Sequence, residues 1–275
     1  MADNDIYAAP REVTALKDCH FYHTTDVPGY GEVRGEWDLR KGIGSYLGKT
    51  NLSGKRVLDV GAASGFLTFY MERQGAEIIS YDLSPADPWD RVPFAGMDLA
   101  RDEALVRDTI RRYNNSYWLC HKVYQSKARL VHGTVYNMPR AIGPVDTSVF
   151  GSILLHLRDP FLALQNALQL TRETVIVTDM LPRRYFWHRF LPRFGLPRMM
   201  FLPEAKHRKY QATWWYLTPP IVQQFLEVLG FEDTRVTYHR QLFCGRNRLL
   251  YTVQGRRTRA PAILHDGPVT AAVAA

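Results

Sequence analysis

The chain has 275 residues, of which 46% are hydrophobic and 23% charged, a composition typical of a globular protein with a sizeable core. No apolar run approaches the roughly 18 residues of a membrane span, and the first residues lack the basic and apolar pattern of a secretory signal. The three cysteines (Cys19, Cys120 and Cys244) have no paired spacing, which argues against a disulfide framework or a zinc ribbon. We therefore expect a cytoplasmic protein with reduced thiols and no metal site.

The net charge of +8 is concentrated in two segments. Residues 181–213 contain eight arginines or lysines and one acid, and residues 246–275 contain five arginines and one acid. The rest of the chain is therefore slightly acidic. Such a cluster predicts either a polyanionic or acidic partner near residues 181–213, or a solvated basic face with no partner.

After about residue 50, strand-like and helix-like segments alternate, which predicts an α/β fold with a parallel sheet covered by helices. The predicted strands are 55–60, 76–82, 128–135, 146–155 and 173–179, and the predicted helices are 65–75, 98–126, 160–171 and 218–231. Three prolines predict a loop at 84–93. Two final strands, near 232–240 and 247–254, are predicted to pair at the end of the sheet.

Two glycine-containing segments compete as the ligand-binding loop. The sequence GKT at 48–50 resembles the end of a phosphate-binding P-loop, but Ile43 stands where that motif needs glycine, and no apolar strand leads into it. The segment VLDVGAASGF at 57–66 has the context of strand, tight loop and helix, and a helix N-terminus offers unpaired N–H groups. It lacks the G-x-G-x-x-G dinucleotide fingerprint. The alternative is a turn that only joins strand to helix.

The order Asp59, Gly61, Gly65 and then Asp82 resembles motif I of class I S-adenosylmethionine-dependent methyltransferases and the acid that follows it. Further segments extend the likeness over residues 20–232: YHTTDVPGYGEVRGEWDLR, MERQGAEIISYDLS, VHGTVYNMP, GSILLHLRDP and WWYLTPPIVQQFLEVLGF. Together they resemble the tRNA wobble-uridine (5-oxyacetate/methoxyuridine) methyltransferase-like family. The resemblance implies a Rossmann-like, seven-stranded, mostly parallel sheet at 51–255, with an N-terminal lid (1–50), an inserted basic and aromatic cap (181–213) and a flexible tail (256–275).

The resemblance also implies S-adenosyl-L-methionine as the cofactor. Its methionine part would lie on the loop formed by Asp59, Gly61, Ala62 and Gly65. Asp82, followed by Leu83, would accept hydrogen bonds from both ribose hydroxyls. The family's middle glycine is Ala63 here, and a left-handed backbone at this alanine would cost on the order of 1 kcal/mol.

Two other segments are expected to contact this cofactor. In the loop after the third strand, Asn137 resembles the family's adenine contact, and Val135 or Tyr136 would take its place if the alignment slips. Trp37 of the lid would pack against the sulfonium, where a cation and an aromatic ring attract. The alternative is that Trp37 belongs to the core of the lid.

Methyl transfer from a sulfonium is an in-line displacement that requires a free lone pair on the nucleophile. His156 follows the fourth strand, at the sheet edge where α/β folds bind ligands, and is our leading general base. Alternatively it shapes the cofactor pocket or hydrogen-bonds the backbone. Asp179 ends the fifth strand and is a second candidate base or orienting residue, or a cap of the next segment.

Candidate substrate-binding residues come from the lid, the cap and the segment after it: Tyr22, His23, Arg40, Arg183, Arg184, Tyr185, Trp214 and Trp215. Aromatic rings provide flat apolar walls and arginines recognise anions, so we expect an anionic or aromatic small-molecule acceptor. Basic groups among aromatics also suit unpaired RNA bases. Simple packing of the cap onto the sheet would explain the aromatics as well.

Three functions follow from these observations. We favour a methyltransferase that acts on an O or N atom of a small molecule such as a secondary metabolite, because the chain has no recognisable RNA-binding appendage. A tRNA wobble-uridine modifying methyltransferase is the alternative that the family name and the basic cap support. A non-catalytic S-adenosylmethionine-binding protein is the third, and the intact loop and acid argue against it.

Overall fold

The computed structural model describes residues 6–181, 196–204 and 213–261 of the chain. Most of the predicted cap, including Arg183, Arg184 and Tyr185, and the predicted tail beyond residue 261 lie outside the described residues. In the parts that are described, no helix combines the length and the apolar character that a bilayer crossing requires.

The described residues form twelve strands and five α-helices. The strands are β1 (Thr25–Val27), β2 (Gly31–Val33), β3 (Trp37–Asp38), β4 (Arg56–Val60), β5 (Glu77–Asp82), β6 (Arg129–His132), β7 (Val145–Gly151), β8 (Thr171–Met180), β9 (Met199–Phe201), β10 (Trp215–Leu217), β11 (Asp233–Phe243) and β12 (Arg246–Arg256). The helices are α1 (Ile43–Tyr46), α2 (Phe66–Arg73), α3 (Leu99–Val123), α4 (Pro160–Leu170) and α5 (Pro219–Val228).

Eight of these strands form one sheet, in the order β3-β11-β12-β8-β7-β4-β5-β6. The neighbours from β8 to β6 are parallel. The pairs β12–β8, β11–β12 and β3–β11 are antiparallel. This confirms the predicted Rossmann-like, mostly parallel α/β sheet. The strand beyond the predicted seven is β3, a two-residue piece of the N-terminal segment.

Among the differences from the predicted boundaries, β7 ends at Gly151 instead of residue 155, and the C-terminal hairpin is longer than predicted. Its strands β11 and β12 extend to Phe243 and from Arg246, so that only Cys244 and Gly245 form the turn. Both turn residues have positive φ, 46° and 71°, as a two-residue turn of this hand requires. The segment RQLFCGRN is predicted to separate the two strands. In the structure its first four residues belong to β11, its last two belong to β12, and only the two residues between them form the turn.

Both faces of the sheet are buried. Successive residues of β4 point to opposite faces, and the apolar residues of each set pack in their own cluster. Leu58 and Val60 pack in one cluster with Leu164 of α4 and Leu226 of α5. Val57 packs in a second cluster that includes residues of α1 and α2. With both faces covered, the loops at the carboxyl ends of the parallel strands are the natural place for a site.

The N-terminal segment is joined to the C-terminal hairpin. Trp37 pairs with Phe243, and Asp38 pairs with Leu242. The ring centroids of Trp37 and Phe243 are 4.7 Å apart, and His23 forms an isolated bridge with Trp37. Within the segment predicted to be a lid, Trp37 and Asp38 therefore form the outermost strand at the antiparallel edge of the sheet, whereas Tyr7 bridges to Val131 of β6 at the opposite edge.

Candidate functional site

A cavity of about 1340 Å³ lies at the carboxyl ends of the parallel strands. The loops that follow β4, β5, β6, β7 and β8 all contribute to its wall, together with the N-terminal segment and the β11–β12 hairpin. This is the edge at which open α/β sheets bind ligands. The volume exceeds the roughly 300–1,000 Å³ typical of a site for one small ligand.

The loop after β4 has an unusual backbone. Gly61 and Gly65 have φ of 80° and 83°, and Ala63 has φ of 49°. A side chain at Gly61 would also come within 2.5 Å of Ile153 Cδ1. Gly61, Ala62 and Ala63 line the cavity, whereas Gly65, the N-cap residue of α2, does not. The left-handed conformation considered for Ala63 is therefore present, with its strain of about 1 kcal/mol.

Asp82 lies at the end of β5, beside this loop. Its two carboxylate oxygens accept hydrogen bonds from different backbone groups, Oδ2 from Ala63 N at 2.5 Å and Oδ1 from Leu83 N at 2.7 Å. Asp82 and Leu83 both line the cavity. Burial raises the pKa of Asp82 above its usual value. Each carboxylate oxygen has a second lone pair, so Asp82 can still accept from a ligand.

Asp59 lies beneath the loop and does not line the cavity. Its Oδ2 accepts from Thr68 Oγ1 at 2.6 Å, and Thr68 Oγ1 is 2.8 Å from Ser80 Oγ. Oδ1 of Asp59 has no partner among the described residues. Burial raises the pKa of Asp59 to about 7. The residue thus supports the loop from below, between β4, β5 and α2.

The loop after β6 reaches the cavity through Gly133, Thr134 and Val135. Tyr136 and Asn137, the other two predicted adenine contacts, do not line it. The Tyr136 hydroxyl instead donates to the carboxylate of Asp90.

The two candidate catalytic residues line the same cavity. His156 lies in a 3₁₀ turn after β7. Asp179 lies in β8, where its Oδ1 accepts from Met180 N at 2.7 Å and its Oδ2 has no hydrogen-bond partner within the described ranges. Burial raises the pKa of Asp179 to about 7. Asp179 is therefore a buried carboxyl group on the cavity wall, and one of its oxygens has no hydrogen bond within the described structure.

Three predicted residues of the N-terminal segment line the cavity: Tyr22, His23 and Trp37. The His23 ring stacks on Phe66 at 5.4 Å, and burial lowers the His23 pKa to about 3, so the imidazole is neutral. Burial raises the pKa of Tyr22 to about 12.

Other predicted substrate residues lie away from the cavity. Arg40 pairs with Asp26, Glu32 and Asp38. The indole nitrogens of Trp214 and Trp215 donate to the carbonyl oxygens of Asp90 and Arg158. The structure therefore gives each of these three side chains a partner within the protein, and none of the three residues lines the cavity.

Several cavity-lining residues were missed by the sequence analysis: Glu36, Trp89, Tyr113, Asn114, Ser152, Tyr216, Arg240, Phe243, Asn247 and Arg248. Most lie in segments that look like ordinary helix or strand. Trp89 had a usable signal, because a tryptophan in a proline-rich loop directly after the acid of the second strand must lie near the ligand edge.

No protein-family model matches the chain, and no curated protein matches its sequence. Solved structures match its fold. The N-terminal domain of EvdMO1, crystallised in the presence of SAH and D-fucose, is 15% identical over 88% of this chain and 92% of that chain, with a TM-score of 0.51. Magnesium protoporphyrin IX methyltransferase (ChlM) from Synechocystis PCC 6803 with bound SAH is 12% identical over 79% of this chain and 81% of that chain, with a TM-score of 0.47.

A third structure, 1,6-didemethyltoxoflavin-N1-methyltransferase from Burkholderia thailandensis, is 16% identical over 79% of this chain and 75% of that chain, with a TM-score of 0.42. The strand order and the likeness to the EvdMO1 domain together identify the Rossmann-like fold of class I methyltransferases.

Proposed function

We propose that this protein is an S-adenosyl-L-methionine-dependent methyltransferase that acts on an O or N atom of a small molecule. The observation that carries the proposal is the position of Asp82. Its carboxylate lies at the end of the second parallel strand, beside the glycine loop that follows the first, on the wall of a cavity at the ligand-binding edge of the sheet.

The residues present fit this cofactor. Asp82 retains lone pairs for the two ribose hydroxyls, and the backbone of Gly61, Ala62 and Ala63 faces the cavity without a large side chain. Thr134 and Val135 would contact the adenine from the loop after β6, in place of Tyr136 and Asn137. SAH was present in the crystals of the EvdMO1 domain with the same fold, which supports this assignment.

The cofactor supplies an electrophilic methyl group on a positively charged sulfur. The protein must hold the acceptor in line and remove its proton. We propose that Asp179 accepts this proton at Oδ2, because a pKa near 7 keeps the group close to the range that suits a general base. His156 would orient the acceptor, and it is the alternative base.

A small molecule fits the described cavity better than a polynucleotide. The volume accommodates a cofactor and a second small ligand, and the aromatic residues Tyr22, Trp37 and Phe243 enclose the side next to Asp179. A tRNA substrate and a non-catalytic binding role are alternatives that the experiment separates.

The first test is calorimetric titration with SAH. We expect Asp82→Ala to weaken SAH binding by about 1–3 kcal/mol, the scale of lost hydrogen bonds to a charged group. Asp108→Ala, which removes an exposed acid of α3, should bind SAH like the wild type. Wild-type affinity in Asp82→Ala would remove this carboxylate from the cofactor site.

The second step uses labelled S-adenosyl-L-methionine with fractionated cell extract. Label in a small-molecule fraction that resists ribonuclease supports the proposal. Label in ribonuclease-sensitive material would assign the protein to tRNA, and SAH binding without labelled product would indicate a binding protein.

A further inference from the structure

Arg248 is an arginine of the cavity wall that has no anionic partner. It lies near the start of β12, and its Nε is buried without a hydrogen-bond partner in the described structure. Its guanidinium carbon is 5.8 Å from the ring centroid of Phe243, a distant cation–π contact. A half-buried guanidinium of this kind loses solvation without gaining an acceptor.

The other half-buried arginines are different. The described ranges contain seven arginines that are neither exposed nor fully buried, and six of them donate to or pair with protein oxygen atoms. These six are Arg40, Arg56, Arg91, Arg112, Arg129 and Arg257. Their acceptors are carboxylates or backbone carbonyls of this chain. The exception, Arg248, faces a cavity, so its acceptor is expected to come from a ligand.

Other groups around Arg248 agree with an anion. Asn247 and Arg240 of the same hairpin line the cavity, and Arg240 forms no ion pair with any described carboxylate. The carboxylates of Glu36 and Asp179 also line the cavity, but neither lies within 4 Å of a basic group in the described structure. These two acids make a singly charged anion more suitable than a doubly charged one.

Asp179 of β8 pairs with Tyr251 of β12, and Arg248 is three residues nearer the start of that strand. Because successive side chains of a strand alternate between faces, Asp179 and Arg248 start from opposite faces of the sheet. Both nevertheless line the cavity at the edge of the sheet, so a ligand that contacts both reaches across this edge. Phe243 lies next to Arg248 and lines the same cavity, which favours an aromatic ligand.

We propose that the methyl acceptor is an aromatic acid, and that Arg248 binds its carboxylate. The proposal rests on the proposed function. A guanidinium binds a carboxylate through two parallel hydrogen bonds, which explains why an arginine serves here. Arg240 and Asn247 complete the rim of this subsite.

The test measures how tightly an acid and its matching carboxamide bind to the protein saturated with SAH. The probes are 4-hydroxybenzoate, 4-aminobenzoate, 4-hydroxyphenylacetate and 4-hydroxycinnamate, each beside its carboxamide. We expect at least one acid to bind the wild type tenfold or more tightly than its amide. Arg248→Gln should reduce that preference to less than threefold, whereas Arg246→Gln, an exposed arginine of the same hairpin outside the cavity, should retain it.

SAH affinity, measured on every variant, shows that the protein is folded and separates the two proposals. Arg248→Lys keeps the positive charge but lacks the two parallel N–H groups of a guanidinium. It should therefore lose part of the preference for the acid over its amide. If SAH binds but no acid is preferred, or if the preference persists in Arg248→Gln, this inference is overturned and the proposed function stands. If SAH does not bind to the wild type, the proposed function fails and this inference fails with it.

Discussion

At the scale of single residues, Asp179 and His156 differ in what their substitution should do. We expect Asp179→Asn to lower kcat by about 10²–10⁴, the range for loss of a general base, with SAH affinity unchanged. Because the base must be deprotonated, the wild-type kcat should rise with pH through about 7, where the pKa of Asp179 lies, and then level off. The measurement is a pH–rate profile with an acceptor found by methyl labelling.

His156→Gln is the matched variant, because both residues line the cavity. Each of the two substitutions replaces a titratable group with an uncharged amide. A smaller loss in His156→Gln, with the rise near pH 7 intact, agrees with a positioning role for the histidine. A larger loss there than in Asp179→Asn would transfer the role of base to His156.

At the scale of elements, the loop at 84–93 is attached to its neighbours through Asp90. The side chain of Asp90 is 11% exposed and pairs with Arg158, and it accepts from Arg158 N at 2.7 Å. Tyr136 also donates to it, and Trp214 Nε1 donates to the Asp90 carbonyl at 2.9 Å. This one residue therefore joins the loops after β5, β6 and β7 to the segment before β10, and it positions Trp89 on the cavity wall.

We expect Asp90→Asn to release this loop, because the amide cannot replace a charged acceptor for Arg158 and Tyr136. The loss should be about 1–3 kcal/mol of local stability. Hydrogen exchange of residues 84–93 should accelerate tenfold or more, while α3 keeps its protection. Asp108→Asn, which breaks only the exposed pair with Arg111, is the control. Unchanged exchange in Asp90→Asn would show that the contacts of the Asp90 carboxylate do not hold the loop.

At the scale of the whole molecule, two buried acids should make stability depend on pH. Burial raises the pKa of Asp59 and of Asp179 to about 7, against about 3.9 in an unfolded chain. An acid whose pKa is higher in the folded state than in the unfolded state stabilises the fold fully at pH values below its unfolded pKa. This contribution is lost as the pH rises to the folded pKa. The contribution of these two acids to the free energy of unfolding should therefore fall between about pH 4 and 7, by up to roughly 1.4 kcal/mol per pH unit for each group, while buried His23, whose pKa is lowered to about 3, contributes the opposite slope below about pH 6.5.

Asp59→Asn should remove one of these two contributions, because an amide resembles the protonated acid. The variant should be more stable than the wild type at pH 8 by about 1–3 kcal/mol, as measured by urea denaturation. Asp233→Asn, at an exposed position, should leave the pH profile unchanged. A stability profile of Asp59→Asn that runs parallel to the wild-type profile between pH 5 and 7 would contradict the raised pKa of Asp59.

The sequence predicted the parallel core and the part of the cavity wall around Gly61 and Asp82 because both depend on local signals. Apolar runs mark the buried strands, Gly61 directly follows one of them, and Asp82 ends the next. The part of the cavity wall around Trp37 and Arg248 could not be predicted in the same way. The pairing of Trp37 with Phe243 involves a two-residue strand, which leaves no periodic pattern, and Arg248 reads as a strand residue whose lack of a partner depends on the tertiary structure.

The pairing of β3 with β11 also has a consequence for biosynthesis. Ribosomes extend a chain from its N-terminus, so β4 to β8 and the loops that follow them emerge before β11 exists. Residues 22–38 are translated before these strands, yet the edge on which they dock follows all of them in the chain. A nascent chain therefore completes the loops after β4 to β8 before it can form the edge that holds residues 22–38.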